Sequence, residues 1–454
     1  MKNQLTFRIS RCSEIIGEQQ KVKALEDSRG SEDRVERTAR VQKRRQIQRP
    51  VSQSSSEVAL LTGGWDKPYA LGLASALVSR GIFFDFIGSD DVGAPELHNN
   101  LHVNFLKLRD SQNSDASVVI KIASVVAYYY RLIRYAATAQ PKLFHVLWTN
   151  KFHVFDRTLL MLYYLCLGKK LVLTVHNVNA GKRDSNDSWL NRTSLKIQYH
   201  LSHHMFVHTE LMKRELVADF RVTADKVSVI PFGINDTFPK TKLTTLEAKR
   251  QLSVSSSDKT LLFFGCIAPY KGLEYLVAAL TTLARTDTAY RLIIAGGPKR
   301  PLEYWGKVRQ MIGISDLSDR IIERIGFVPD EKVELYFKAA DILILPYTHI
   351  FQSGVLFLGY SFGLPAIAAD VGNLKEEVIE GETGFVFKPR DSVDLADKID
   401  KYFNSDLFHN LEARRSEIRA YANERYSWDK VATITTAVYS HLLTSDLSHP
   451  PSVL

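Results

Sequence analysis

Three short stretches in the second half of the chain bring glycine, a basic or hydroxyl side chain and a helix start together. They are Gly265 to Gly272 ("GCIAPYKG"), Gly296 to Arg300 ("GGPKR") and the loop leading into Ser353 ("FQSGV"). Glycine lets a backbone approach a ligand closely, and the free N–H groups of a helix's first turn favour an anion there. Lys271 would add a full positive charge, although a lysine at a helix start also reads as a plain surface residue. Gln352, Ser353 and the amides of Ser353, Gly354 and Val355 can hold an anion or a hydroxyl, or Gln352 can merely cap the helix. The first half offers "TGGWDKPYALG", where Gly63 and Gly64 permit either close backbone approach or only a tight strand-to-helix turn. It also offers "KLVLTVH", whose terminal His176 either faces a ligand or is satisfied within the protein. The three cysteines (Cys12, Cys166, Cys266) are scattered without CxxC spacing. That argues against a disulfide scaffold or a structural zinc site and fits a reducing compartment.

The elements that must position these residues alternate along the chain. A length of 454 residues exceeds one hydrophobic core. A content of 45% hydrophobic and 24% charged residues is ordinary for globular protein. The net charge of +9 is concentrated in the first fifty residues, which hold 13 Lys/Arg against 7 Asp/Glu. This leader lacks the apolar core of a secretory signal and ends in a Pro/Ser linker. Its "RTARVQKRRQIQRP" would suit nucleic acid or anionic lipid, but a polar, charge-mixed segment of this kind reads first as a solvated, disordered tail.

From Glu57 onward, short apolar runs such as "EVALLTGG", "LFHVLW" and "KVSVIPFG" read as strands between helical patterns. After a polar connector, the same alternation restarts at "TLLFFG". The chain thus carries two α/β units with a cleft between them, and ligands in open α/β sheets sit at the carboxyl ends of strands. Between Ile342 and Ala369 there is no Asp, Glu, Lys or Arg in 28 residues. Pro346, Gly359, Gly363 and Pro365 punctuate this run too often for a membrane span, so it reads as buried elements joined by a polar loop. "TLLMLYYLCLG" (158–168) is too short to span and reads as a core helix.

The motifs "FFGCIAPYKGLEYLVAAL", "LIIAGG", "IGFVPDEKVELYFKAADILILPY" and "SFGLPAIAADVGNLKEEVIEGETGFVFKP" stand in the order of the family 4 glycosyltransferases, which the chain resembles over roughly residues 57–430. The resemblance implies a GT-B architecture, with two Rossmann-like, doubly wound α/β domains facing a cleft. The expected division is a polar leader (1–56), an acceptor-side domain (57–234), a nucleotide-sugar domain (235–425) and a C-terminal helix and tail (426–454) crossing back to the first domain. It implies transfer of a sugar from a UDP- or GDP-sugar to a saccharide or lipid-linked acceptor. Retention at the anomeric carbon is implied too, in polysaccharide or glycoconjugate synthesis, with no cofactor and no metal.

Carried over residue by residue, the resemblance makes Lys271 the cation for the leaving diphosphate and places His176 beside the transferred sugar. Gly63, Gly64, Cys266, Gly297, Ser353, Gly354 and Val355 become donor contacts, and "AGKRDSNDSW" an acceptor loop. Two departures stand out. Cys266 occupies the position where the family has an arginine. The family's pair of glutamates eight positions apart falls near Ile350 and on Leu358, which leaves Gln352 as the catalytic candidate of that loop. Either Lys299 or Arg300 supplies the missing charge, or activity is reduced or lost and the protein binds nucleotide-sugar or scaffolds partners without catalysis. The mixed "AYYYRLIRYAA" reads either as a face resting on anionic membrane or as a core-packing helix. Nucleic acid is not expected as a partner. The expected location is the cytoplasm, extending to the inner face of the membrane.

Overall fold

The computed structural model describes residues 56–63, 67–89, 95–109, 117–184, 186–234, 238–300 and 302–444. The leader reading and Gly64 lie outside them. The first half is built on β1 (Val58–Leu61), β2 (Phe84–Ser89), β3 (Val103–Arg109), β4 (Leu143–Val146), β5 (Lys170–Thr174), β6 (His204–Val207) and β7 (Val227–Val229). These strands are parallel and ordered β3-β2-β1-β4-β5-β6-β7. Helix α1 (Lys67–Ser79) follows β1, α2 (Val118–Thr138) follows β3, and α3 (His153–Arg157) and α4 (Leu159–Cys166) follow β4. After β5 come α5 (Ala180–Arg183) and α6 (Trp189–Leu201).

The second half repeats the plan with β8 (Lys259–Phe264), β9 (Tyr290–Gly296), β10 (Ile321–Ile325), β11 (Ile342–Leu345), β12 (Ala366–Ala369) and β13 (Gly384–Phe387), in the parallel order β10-β9-β8-β11-β12-β13. Here α7 (Leu273–Leu283) follows β8, α8 (Glu303–Ile314) follows β9, and α9 (Gly354–Ser361) follows β11. The last helix is α10 (Trp428–Thr444). Both sheets belong to one compact unit.

A parallel strand covered on both faces needs apolar side chains on both, and all four residues of β1 (VALL) and of β11 (ILIL) are buried. The edge strand β3 (VNFLKLR) instead mixes buried ends with exposed Asn104 and Lys107, and its sequence gave no clear strand signal. In each sheet the strand order reverses once, opening a crevice between β1 and β4 and another between β8 and β11. Gly63, His176, Cys266, Lys271, Gly297, Gln352 and Ser353 follow the carboxyl ends of strands flanking or neighbouring these crevices, and Gly354 and Val355 open the helix after β11.

Helix α10 leaves the second half and packs on α1. Val431 and Tyr439 enter the same apolar cluster as Val58 and Leu60. The Trp428 indole fills the space beside Gly72 and Gly233, where an added Cβ would lie 2.2 and 2.3 Å from ring carbons, and its Nε1 donates to Ile234 O at 2.9 Å. Tyr439 Oη meets His145 Nδ1 at 2.5 Å inside the first half, and burial lowers the His145 pKa to about 3.

Helix α4 corrects the expectation of a core helix. Leu160, Met161 and Tyr164 are buried, but Leu159 is 61% and Leu162 43% exposed, so only one side faces the core. Helix α2 is likewise divided: Tyr128, Tyr129, Leu132 and Ala136 are buried, while Val118, Val119, Ile120 and Ile122 are exposed. No described helix is long and apolar enough to cross a membrane.

Candidate functional site

The rim of the second sheet is assembled by close backbone contacts that only glycine permits. A Cβ on Gly296 would sit 1.8 Å from the Gly265 carbonyl oxygen, so the ends of β8 and β9 touch main chain to main chain. Gly272 (φ +64) comes so near β11 that its Cβ would lie 1.9 Å from Pro346 O. This presses the turn Pro269–Lys271 onto the end of β11 and buries Lys271, which is only 6% exposed.

The Lys271 ammonium donates to Tyr347 Oη at 2.6 Å and lies 3.9 Å from that ring's centroid. Tyr347 Oη is in turn 3.2 Å from Ser353 Oγ. Burial draws the Lys271 pKa down to about 8, opposed by the nearby Tyr270 and Cys266. The same burial pushes the Tyr347 phenol up, keeping it neutral.

Ser353 is the N-cap residue of α9, yet its hydroxyl makes no capping bond and faces Tyr347 instead. Gly354, the first helical residue, is exposed, and the first turn holds no acidic residue. Val355 Cγ2 comes within 3.5 Å of where a Gly265 Cβ would be. Gly265, its exposed neighbour Cys266, Lys271, Ser353 and the start of α9 are therefore brought to one place. Unsatisfied amides of a helix start beside a buried cation form an anion site. Gln352 does not cap the helix; its Oε1 is buried without a hydrogen-bond partner. Gly297 lies one strand over, where its carbonyl accepts from Ile267 N at 2.9 Å and steadies the loop after Cys266. Leu358, at the position expected for a glutamate, lines an apolar cavity of about 230 Å³ with Tyr69, Phe232, Gly354, Val355 and Trp428.

The rim of the first sheet is aromatic. The His176 ring stacks on Trp148 at 4.1 Å and 2°, meets the edge of Tyr69 at 4.7 Å, and places Nδ1 3.2 Å from His208 Nε2. Burial holds the His176 pKa well below 6.5, with His208 adding to the shift, and burial lowers His208 to about 4. Both rings are neutral near pH 7 and exchange hydrogen bonds rather than charge. Gly63 (φ +62) sits against Trp148, whose carbonyl would be 2.8 Å from an added Cβ, and its own carbonyl accepts from Arg109 Nη1 at 3.1 Å.

Lys299, expected to make up the charge missing at Cys266, is engaged elsewhere: its Nζ is bound to Asp184 at 2.6 Å across the cleft. The sequence reading placed Arg183 only within the acceptor loop "AGKRDSNDSW" and missed its guanidinium 4.5 Å from the Tyr270 ring; it also missed Tyr347, concealed in the uncharged run. Among the described residues, no group of three or more His, Cys, Asp or Glu is placed to hold a metal ion.

Comparison with known proteins agrees with this architecture. The solved sucrose-phosphate synthase of Thermosynechococcus elongatus superposes with a TM-score of 0.66 at 18% identity, over 86% of this chain and 99% of that one. HepE of Anabaena in complex with UDP and glucose gives 0.64 at 17%, over 85% and 100%. The fold is GT-B: two Rossmann-like domains of mixed α/β structure.

Residues 68–238 match the model described as Glycosyltransferase Family 4, and residues 258–405 the model Glycosyl transferases group 1. An uncharacterized glycosyltransferase of Methanocaldococcus jannaschii is 23% identical over 84% of this chain and 97% of its own length. A D-inositol 3-phosphate glycosyltransferase of Corynebacterium efficiens is 27% identical over 53% of this chain and 57% of that enzyme, so the match spans little more than half of it. The chain belongs to the family 4 glycosyltransferases and is a transferase enzyme.

Proposed function

We propose that the protein transfers a sugar, with retention, from a UDP- or GDP-sugar to a saccharide or lipid-linked acceptor in polysaccharide or glycoconjugate synthesis. The observation that carries this reading is the buried Lys271 beside the open start of α9, at the crevice between β8 and β11. As the acceptor hydroxyl oxygen bonds to the anomeric carbon, the diphosphate leaves with the electron pair of the broken C–O bond and takes up the hydroxyl proton. Protonated Lys271 and the amides of Gly354 and Val355 oppose that growing negative charge. A hydroxyl of the transferred sugar or the acceptor is assigned to His176 Nε2 and another to Gln352 Oε1, both buried with no hydrogen-bond partner among the described residues of the free protein. Retention rests on the family resemblance. Counter-charge is assigned here to protein groups rather than to a metal, so turnover is expected to persist in EDTA.

A lipid-linked acceptor is supported by the outer face of α2. Val118, Val119, Ile120, Ile122, Val126 and Tyr130 are exposed there, on a helix that also carries Lys121, Arg131 and Arg134. Apolar side chains interleaved with cations suit an anionic lipid surface. Co-sedimentation with anionic but not zwitterionic vesicles is expected, and its loss in Ile122→Glu; equal behaviour in both vesicle types removes the membrane contact.

The test of the main reading is a panel of nucleotide-sugars screened by thermal shift, since a ligand that binds only the folded state raises Tm. It is followed by turnover of the stabilising donor. Absence of both stabilisation and turnover across the panel would overturn the reading.

A further inference from the structure

We propose that Arg183, carried by the first half, is a donor-binding residue: the second cation of the diphosphate site, reaching across the cleft to flank Cys266 opposite Lys271. The inference rests on the proposed donor reading and adds a residue from the other domain to it.

The Arg183 guanidinium carbon lies 4.5 Å and the Lys271 ammonium 5.7 Å from the centroid of the same Tyr270 ring. The two charges are thus held within roughly one Debye length, about 10 Å at 0.1 M salt. Each interacts electrostatically with the other and with Cys266, the exposed residue that follows the Gly265 turn. Asp184 balances the Arg183 charge in the free protein, so a bound diphosphate would share Arg183 with that carboxylate while meeting Lys271.

Arg183 is oriented for that role. Its Nε and Nη2 donate to Asp184 Oδ1 and Oδ2 at 3.0 and 3.1 Å, and Nη1 donates to Asn177 Oδ1 at 3.3 Å. A guanidinium has five N–H groups, so these three bonds fix its plane and leave donors over. Asp184 also accepts from Lys299 at 2.6 Å, which ties the α5 segment to the second half. Arg183 also lines a neighbouring cavity of about 580 Å³ with Tyr270, Lys299, Arg300, Tyr304 and Lys307; Lys271 does not line it and is linked to it through the Tyr270 ring, 5.7 Å from the ammonium. A nucleoside diphosphate has the charge and length to meet both cations, whereas a monophosphate has only one phosphate to share.

The test is calorimetric titration of the full chain with UDP, GDP, UMP and GMP, for the wild type, Arg183→Ala and Arg183→Gln. Losing a charge-assisted contact should weaken the bound diphosphate by about tenfold or more and leave the monophosphate within about threefold. Arg183→Gln keeps hydrogen-bonding capacity without charge, and is expected to lose as much; an unchanged Tm shows that each variant is folded. Diphosphate binding equal to wild type in either folded variant overturns the role of Arg183 while leaving the donor reading intact. Equal losses for mono- and diphosphate also overturn it. A wild type that binds neither diphosphate overturns the donor reading itself, and Arg183 with it.

Discussion

The two halves share one strand plan but present opposite rims to the cleft. Around His176 the first rim is neutral and aromatic, with Tyr69, Trp148, His176 and His208 joined by ring contacts. The second is cationic, with Lys271 held by Tyr347 and the unblocked start of α9 beside it. A shared scaffold therefore does not set what is bound; the loops after β4, β5, β8 and β11 do. Neutral rings suit hydroxyls, and a buried cation suits the charge that develops on a leaving diphosphate. On the proposed reading, sugar and acceptor contacts fall to the aromatic rings of the first rim and leaving-group chemistry to the second rim, joined there by Arg183 from the first half.

The sharpest way to break this division is to remove Lys271. Lys271→Ala is expected to lower kcat/KM by about 10²–10³-fold, the scale of losing one preorganised charge-stabilising group. His176→Ala is expected to cost only about fivefold to tenfold, as one neutral hydrogen bond, with nucleotide affinity unchanged. Steady-state kinetics with nucleotide titration decide the matter: if His176→Ala loses nucleotide and Lys271→Ala does not, the rims are assigned the wrong way round.

Smaller effects follow from pH. Lys271 titrates near 8 in the free protein, and only its protonated form opposes the diphosphate charge, so kcat/KM should fall as pH rises through about 8. Its ordinary value is higher, so the unfolded chain binds more protons between about 8 and 10.5, and this group's contribution to stability rises with pH across that window. The histidines act on the other side of neutrality. His145 and His208 stay neutral in the fold down to about 3 and 4, whereas unfolded histidine takes up a proton near 6.5. The unfolded chain then binds more protons, and stability falls as pH drops below about 6.5. Thermal melts from pH 4 to 9 should show that acid loss, while kcat/KM shows no limb from a titrating histidine. A kinetic limb near 6.5 abolished by His176→Gln would place a charged imidazole in the first rim.

Much of the fold was legible because buried parallel strands are written as unbroken apolar runs, as in β1, β8 and β11, and because glycine marks the turns after them. β3 was not, since an edge strand solvated on part of its surface carries polar residues and loses that signature. Helix α4 misled for the converse reason: its apolar composition gave no hint that Leu159 and Leu162 face outward. In the site, the local features were readable: Lys271 after its glycine turn, and Ser353 and Gly354 at the start of α9. Features made by distant contacts were not. Arg183 reaches Tyr270 from another domain, Lys299 is occupied by Asp184, and Tyr347 became visible only as the phenol joining Lys271 to Ser353. Spacing within one segment carries no information about which partner arrives from elsewhere in the chain.

The return of α10 bears on how the protein is made. The first half reaches solution early in synthesis, yet its buried His145 obtains the Tyr439 hydroxyl from 294 residues further on, and the gap beside Gly72 is filled only by Trp428. Domains usually fold as they emerge, but this one is missing a wall of its core until the second has been translated. A nascent chain stopped before Trp428 would expose the α1 face that Val431 and Tyr439 cover, so the order of synthesis makes the second domain the gatekeeper of the first.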